Sequence, residues 1–386
     1  MRRNPLLMLT LISVLLHGYV AWRLLPALNS GSLAGSLLGI WLLASCVLVP
    51  APLLVQLSRV PGRGGDALAW AGYLSMGVFS SLIVLTLLRD LTLAVAALWS
   101  LARPDAIDWP WLLQNSAWGV LLLVAAISLL GLINARRVAR VVEVDLPIAG
   151  LAPELQGFSI VQLSDIHVGP TIKRGYIDGI VRRVNRLDAD LVAITGDVID
   201  GSVASLREHV APLAQLQSRY GTYCVTGNHE YYHGVEAWLP EWRRLGMRVL
   251  LNENEVIEHR GARLLIGGVT DFGGAHFDPA HASDALAAAR TATAVALKIL
   301  LAHQPRSAPA AADAGFDVQL SGHTHGGQFL PWNFFVTMQQ PFVAGLHRVR
   351  QLLIYTSRGT GYWGPPLRFF APSEITRLKL VAAPAS

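Results

Sequence analysis

Apolar residues run along this 386-residue chain in two different rhythms. Up to about residue 135 they form long unbroken stretches, 5–25, 34–57, 67–88 and 111–133. Each is about 20 residues or longer, enough to cross a hydrocarbon core of about 30 Å. Four transmembrane helices are therefore expected. The first is a poor secretory leader, because it lacks a small-residue cleavage site and three more stretches follow. Apolar character continues past Arg89-Asp90 as far as Trp99. That tail is too short to span again, and it reads as an interfacial helix or a membrane-proximal loop.

Between 135 and 155 the rhythm changes. Val141 to Leu146 reads as a first strand, followed by turn residues Gly150 and Pro153. The expected division is 1–139 for the membrane part and 140–386 for a second domain. Short β-branched runs follow at 158–163, 191–194, 220–225, 247–251, 256–259, 263–269, 297–301, 318–320, 352–355 and 375–381. Helical spacing holds over 176–187, with Ile177, Ile180, Val181 and Val184 on one face, and again over 206–216. Strands alternating first with helices and then with hairpins predict an α/β domain of two packed sheets with helices outside.

Composition supports the membrane reading: 52% of residues are hydrophobic and only 15% charged. The net charge of +5 comes largely from arginines flanking the apolar stretches. Arg2, Arg3, Arg59, Arg63, Arg136, Arg137 and Arg140 fall on one side, against Arg23, Arg89 and Arg103 on the other. That bias places both termini, and with them the second domain, in the cytoplasm. No basic stripe is interleaved with aromatics, so no nucleic-acid partner is expected. Cys46 and Cys224 lie in different domains without metal-site spacing, and both read as small core residues. His17, alone in the first stretch, reads as a histidine packed against a neighbouring helix.

Candidate chemistry is concentrated in the second rhythm. Five clusters of oxygen and imidazole donors each follow an apolar run: Asp165-Ile166-His167, Gly196-Asp197-Val198-Ile199-Asp200, Gly227-Asn228-His229-Glu230, His303, and Gly322-His323-Thr324-His325. Singly each has a structural reading, as an N-cap aspartate or a glycine turn. Together, in order and each after a strand, they read as metal ligands mounted on strand ends. Gly196 permits a sharp turn before Asp197. Aspartate, asparagine and histidine without cysteine suit manganese, iron or zinc. Six or seven donors exceed the needs of one ion and point to a pair about 3.5–4 Å apart. Such a pair lowers the pKa of a bridging water and clamps the oxygens of an in-line displacement at phosphorus.

This pattern resembles the calcineurin-like metallophosphoesterase superfamily over roughly 155–380. The resemblance implies a four-layer α/β/β/α sandwich with two metals at the strand ends. Asp165, His167 and His325 would hold the first metal, Asp197 would bridge, and Asn228, His303 and His323 would hold the second. His229 would be the general acid, oriented by Asp200, with Glu230 behind them. Gly322–Gln328, Ser357–Gly361 and Pro365–Arg368, with the membrane stretches, resemble a membrane-attached branch of the family with bacterial and animal members. The resemblance implies a phosphoester or pyrophosphate hydrolase of the bacterial inner membrane, with a lipid-linked substrate as one candidate. A hydrolase of soluble nucleotides or phosphoproteins, or a membrane scaffold with a vestigial metal site, are the alternatives. Arg358, among glycines, and Arg368 are candidates for phosphate binding. The aromatic segment 329–342 reads as a cover over the core or as a surface for acyl chains.

Overall fold

The computed structural model describes residues 5–58, 63–329 and 331–384. Arg2, Arg3 and Arg59, which enter the charge count above, lie outside them. The chain divides into two compact units: the N-terminal part through Ile133 together with Gly364–Phe369, and Asn134–Trp363 together with the chain from Phe370 onward.

The first unit contains α1 (Pro5–Leu24), α2 (Leu33–Leu48), α3 (Ala51–Ser58), α4 (Arg63–Ala102) and most of α5 (Trp109–Arg136). Among the described residues, four helical segments are long and apolar enough to cross a membrane. Their core is aliphatic and aromatic, including Val20, Leu24, Leu42, Phe79, Leu82 and Val120. Other faces leave Leu37, Leu43, Val47 and Leu122 exposed, as lipid-facing residues should be. His17 stacks on Phe79 with ring centres 3.6 Å apart and bonds Ser13 and Ser45, so it is a satisfied packing residue.

One expectation fails in this unit. The third stretch does not stop near Leu88 with a separate interfacial segment; α4 runs unbroken for 40 residues. Arg89-Asp90 is tolerated because both charges are paired. Arg23 donates two hydrogen bonds to Asp90, at 2.8 and 2.9 Å, and Tyr19 donates a third. Arg89 is buried and donates to Ser116 and to the Leu113 carbonyl. A charged dipeptide that reads as a helix end is thus an interhelical clasp. Gly364–Phe369 also belongs to this unit. Leu367 fits against Gly77 and Gly131, and the Arg368 amide donates to the Gly131 carbonyl.

Among its described residues the second unit has twelve strands: β1 (Arg140–Ile148), β2 (Ser159–Leu163), β3 (Leu191–Thr195), β4 (Thr222–Val225), β5 (Met247–Val249), β6 (Glu253–His259), β7 (Ala262–Gly268), β8 (Leu297–Leu301), β9 (Val318–Ser321), β10 (Gly345–Val349), β11 (Leu352–Thr356) and β12 (Glu374–Ala382). They form two six-stranded sheets, β1-β12-β2-β3-β4-β5 and β10-β11-β9-β8-β7-β6. Strands β2 to β5 are mutually parallel, as are β7, β8, β9 and β11.

Three cores make four layers. Ile160, Leu191, Tyr223, Ile266, Ile299 and Leu320 pack between the sheets. Val161, Val192 and Cys224 face α6 (Arg174–Asn185), α7 (Val203–Val210) and α9 (Val235–Arg244), which follows α8 (Asn228–Tyr232). Leu265, Leu300 and Ile354 face a cover built on Ala288, Ala308, Ala311 and Phe316. Adjacent residues of one strand enter different cores, so these strands read as continuous apolar runs. Pro212 ends α7 early, and residues 211–215 continue as a tighter turn. The buried Cys224 thiol is pushed up by its burial, and neither cysteine is in a disulfide.

Candidate metal centre

All five donor clusters stand at the C-terminal ends of central strands. Asp165 and His167 follow β2, Asp197 follows β3, Asn228 follows β4, His303 follows β8 and His323 follows β9. Within each sheet the strands concerned are parallel, so their ends share one edge. Loops at such an edge are where a parallel sheet presents its chemistry.

The backbone there is strained in a consistent way. Asp165, His167, Asp197, His323 and His325 all have positive φ, between 52° and 72°. For residues with a Cβ this left-handed region is costly and clusters at functional sites. Gly322 allows the two sheets to meet. A Cβ there would lie 1.9 Å from Ser164 Oγ and 2.2 Å from Asp165 Oδ2.

The side chains converge on Asp197. Its Oδ2 is 3.1 Å from His303 Nε2, and 3.9 Å from both His167 Nε2 and His229 Nε2. On one side, His167 Nε2 and His325 Nε2 are 3.0 Å apart, and His325 Nε2 is 3.5 Å from Asp165 Oδ1. On the other, His303 Nε2 is 3.1 Å from His323 Nδ1 and 3.2 Å from Asn228 Oδ1. Two imidazole nitrogens of neutral rings facing each other at this distance repel unless a cation or a proton lies between them. With metal–nitrogen bonds of about 2.1 Å, ligands on one ion are about 3.0–3.4 Å apart, which these separations match. The outer nitrogens are fixed: His303 Nδ1 is 2.8 Å from the Thr195 carbonyl, and His167 Nδ1 is 3.0 Å from Asp200 Oδ1. Each inner nitrogen is thereby left to bind an ion. The donors suit divalent ions and fall into two groups, Asp165–His167–His325 and Asp197–His303–His323, linked by a third, His167–Asp197–His229, that shares a residue with each.

Residues 158–327 match the family model described as calcineurin-like phosphoesterase. The chain is 41% identical over 275 residues to a bovine transmembrane protein with metallophosphoesterase domain, covering 68% of this chain and 62% of that one. It is 38% identical over 249 residues to an uncharacterized metallophosphoesterase of Campylobacter jejuni, covering 64% of each. It is 32% identical over 229 residues to an uncharacterized metallophosphoesterase of Aquifex aeolicus, covering 58% of this chain and 85% of that protein. The chain belongs to the calcineurin-like metallophosphoesterase family. It spans less than two thirds of the length of the bovine and Campylobacter relatives.

Electrostatics in the metallophosphoesterase centre follow from burying so many charges together. Burial disfavours the Asp197 carboxylate, but His303 and His229 outweigh it and hold the group well below the usual range. Asp200 is likewise held low against its burial by His167 and His229. Asp165 is pushed up, by burial first and then by the Asp197 charge, which together exceed the pull of His303 and His167. His229 is raised to about 9: burial opposes its charge, and Asp197 and Asp200 more than compensate. His323 is lowered to about 3 by burial and the nearby charge of His303.

Glu230, at the start of α8, is fully buried. Its carboxylate accepts from the Asp197 amide (3.0 Å), the Val198 amide (2.8 Å) and the Gly227 amide (2.6 Å), tying two ligand loops together. Asp200 Oδ1 lies 2.5 Å from His229 Nδ1, so one carboxylate faces two histidines. Arg358 donates Nη1 to the buried Glu374 at 3.0 Å, and its segment backs the Asp165 loop: the Thr360 and Gly361 amides donate to the Ser164 and Asp165 carbonyls. Arg368 lies in the helical unit and is fully buried. Segment 329–342 is mixed. Phe329 and Gln340 are buried, whereas Trp332, Phe334, Phe335 and Met338 are exposed.

The motif reading passes over several residues beside the centre. His233 forms a group with Asp200 and His229, and its spacing of four from His229 on one helical segment is a signal the sequence carries. Buried Asp271 accepts from Gln304 Nε2, next to His303; nothing local in the sequence marks it. Tyr232, Phe277 and Trp363 are each more than half exposed and form an aromatic rim, with Tyr232 5.2 Å and Trp363 6.0 Å from the His229 ring.

Proposed function

We propose that this chain is a membrane-anchored phosphoesterase with a dinuclear metal centre, hydrolysing a phosphoester or pyrophosphate. The observation that carries the reading is the convergence of two imidazole pairs on one buried carboxylate, Asp197, with five of the donors held in left-handed backbone. In this reading Asp165, His167 and His325 hold one ion, Asn228, His303 and His323 hold the other, and Asp197 lies between. Ions held there supply Lewis acidity at phosphorus and make a water acidic enough to act as nucleophile near neutral pH.

The chain's own groups supply the rest. Asp200 keeps the His167 and His229 rings aligned and favours the charged form of His229. Protonated His229 then gives the proton on Nε2 to the leaving oxygen as the phosphorus–oxygen bond breaks, and recovers one from water. Glu230 holds the Asp197 loop still. Manganese, iron and zinc all suit the donors.

Four apolar helices keep the enzyme at a bilayer, and the aromatic rim beside His229 offers apolar contact. Both favour a lipid-linked substrate. The arginine count favours the cytoplasmic face of a bacterial inner membrane for the metallophosphoesterase domain.

The test is hydrolysis of bis(p-nitrophenyl) phosphate and p-nitrophenyl phosphate by the detergent-purified chain with manganese, with chelator, and with Asp197→Asn. Turnover that requires metal and disappears in the variant is expected. Turnover indifferent to both would sink the proposal. Preference for a lipid phosphoester over soluble nucleotides in mixed micelles supports the lipid-linked reading, and the reverse preference contradicts it.

A further inference from the structure

The loop that carries His303 continues through Gln304 and Pro305 to Arg306. A short hydrogen-bonded chain fixes it. Gln304 Nε2 donates to the buried Asp271 carboxylate at 2.9 Å, Gln340 Nε2 donates to Gln304 Oε1 at 3.1 Å, and the Arg306 amide donates to Gln340 Oε1 at 3.2 Å. The guanidinium of Arg306 rests over the Phe272 ring, 5.0 Å from its centre. An aromatic face steadies a guanidinium without using its N–H groups.

Those N–H groups are under-used. Arg306 Nε is buried without a hydrogen-bond partner. Among the described residues no carboxylate pairs with this side chain, in contrast to Arg358, which is tied to Glu374. A buried donor with no acceptor is costly, and a guanidinium more so. Arg306 stands three residues after His303 on the same loop.

We infer that Arg306 is a substrate-binding residue of this site, pairing with a non-bridging oxygen of the phosphoryl group. The inference rests on the phosphoesterase reading and deepens it. Substrate supplies the missing acceptor: a phosphate oxygen takes the Nε–H and a neighbouring N–H in the paired geometry that guanidinium offers. The substrate class is then an ester with at least one exposed anionic oxygen directed to the β8 side of the centre. The Asp271–Gln304–Gln340 chain positions Arg306, since it holds the backbone on which the side chain stands.

The experiment uses the full-length detergent-solubilised protein, with inorganic phosphate as a competitive inhibitor of whichever p-nitrophenyl ester it hydrolyses. Arg306→Ala should raise the phosphate inhibition constant and KM at least about tenfold, while the manganese content per chain stays that of the wild type. Arg306→Lys should recover part of the loss, because it restores charge but not the planar fork. An unchanged inhibition constant in Arg306→Ala would overturn the inference. So would a rise accompanied by metal loss, which would make Arg306 a support of the centre. A wild-type protein that hydrolyses neither ester would overturn the phosphoesterase reading and this assignment with it.

Discussion

Asp200 shows how much one side chain can control. A single carboxylate oxygen faces His167 at 3.0 Å and His229 at 2.5 Å, so one group sets the ring orientation of a candidate ligand and of the candidate acid. Asp200→Asn keeps the shape but removes the charge that favours protonated His229. Steady-state kinetics on a p-nitrophenyl ester should show kcat reduced about 10²-fold or more, with most of the metal retained; an unchanged kcat would remove His229 from the mechanism. Gly322 is a residue-scale constraint of another kind. Gly322→Ala places a methyl group inside contact distance of Ser164 and Asp165, and metal content should fall with activity. His259 offers a pH test away from the centre. It is buried beside Phe158 and Tyr220, and burial lowers its pKa below 6.5. The unfolded chain therefore takes up this proton more readily than the folded one, so stability present above pH 6.5 is lost as pH falls below it. Thermal melting from pH 7.5 to 5 should fall less steeply in His259→Phe than in the wild type.

At the scale of elements, Glu230 is the joint between the β3 and β4 ends. Three backbone amides donate to it, from Asp197, Val198 and Gly227. Glu230→Gln turns an acceptor into a donor against at least one of these amides, at a cost of about 1.5–3 kcal/mol. A lower melting temperature with weaker metal binding is expected. In the helical unit the Arg23–Asp90 clasp joins α1 to α4. Asp90→Ala leaves two arginines without their carboxylate; because the Arg23–Asp90 pair is only partly buried, the loss should fall below the about 3–5 kcal/mol of a fully buried pair. Melting in detergent should register it; an unchanged melting temperature would mean the charges are solvated there.

These same elements show what was legible before folding. The donor clusters were legible because each is local: an apolar run, then donors within a few residues, with a glycine between them in three of the five. Parallel strands then bring such local groups to one edge without further instruction. The passage of α4 through Arg89-Asp90 was not legible, because the compensating Arg23 and Tyr19 are more than sixty residues away. Helix α9 was hidden by Pro240 in its middle, although Trp238 and Trp242 stack at 4.6 Å and bury its face. The membership of Gly364–Phe369 in the helical unit depends on Gly77 and Gly131, far off in sequence. Nothing local marks Arg306 for a similar reason: its platform, Phe272, and its buried neighbour Gln340 come from other loops.

For the whole molecule, the proposed reading joins four apolar helices to a metallophosphoesterase domain and so holds its chemistry at a bilayer surface. If the arginine count sets the topology, a fluorescent protein fused to the C-terminus should glow in bacterial cells and a periplasmic alkaline phosphatase fusion should be inactive. The opposite pair would put the catalytic domain across the membrane. The central claim, however, is the dinuclear centre. It is tested most directly by counting manganese per chain in the purified protein, by equilibrium dialysis, in the wild type, His325→Ala and Asp197→Asn. Two ions in the wild type, one in His325→Ala and fewer than one in Asp197→Asn are expected, because the proposed reading shares Asp197 between both sites and gives His325 to one. A single wild-type ion that survives Asp197→Asn would contradict the account.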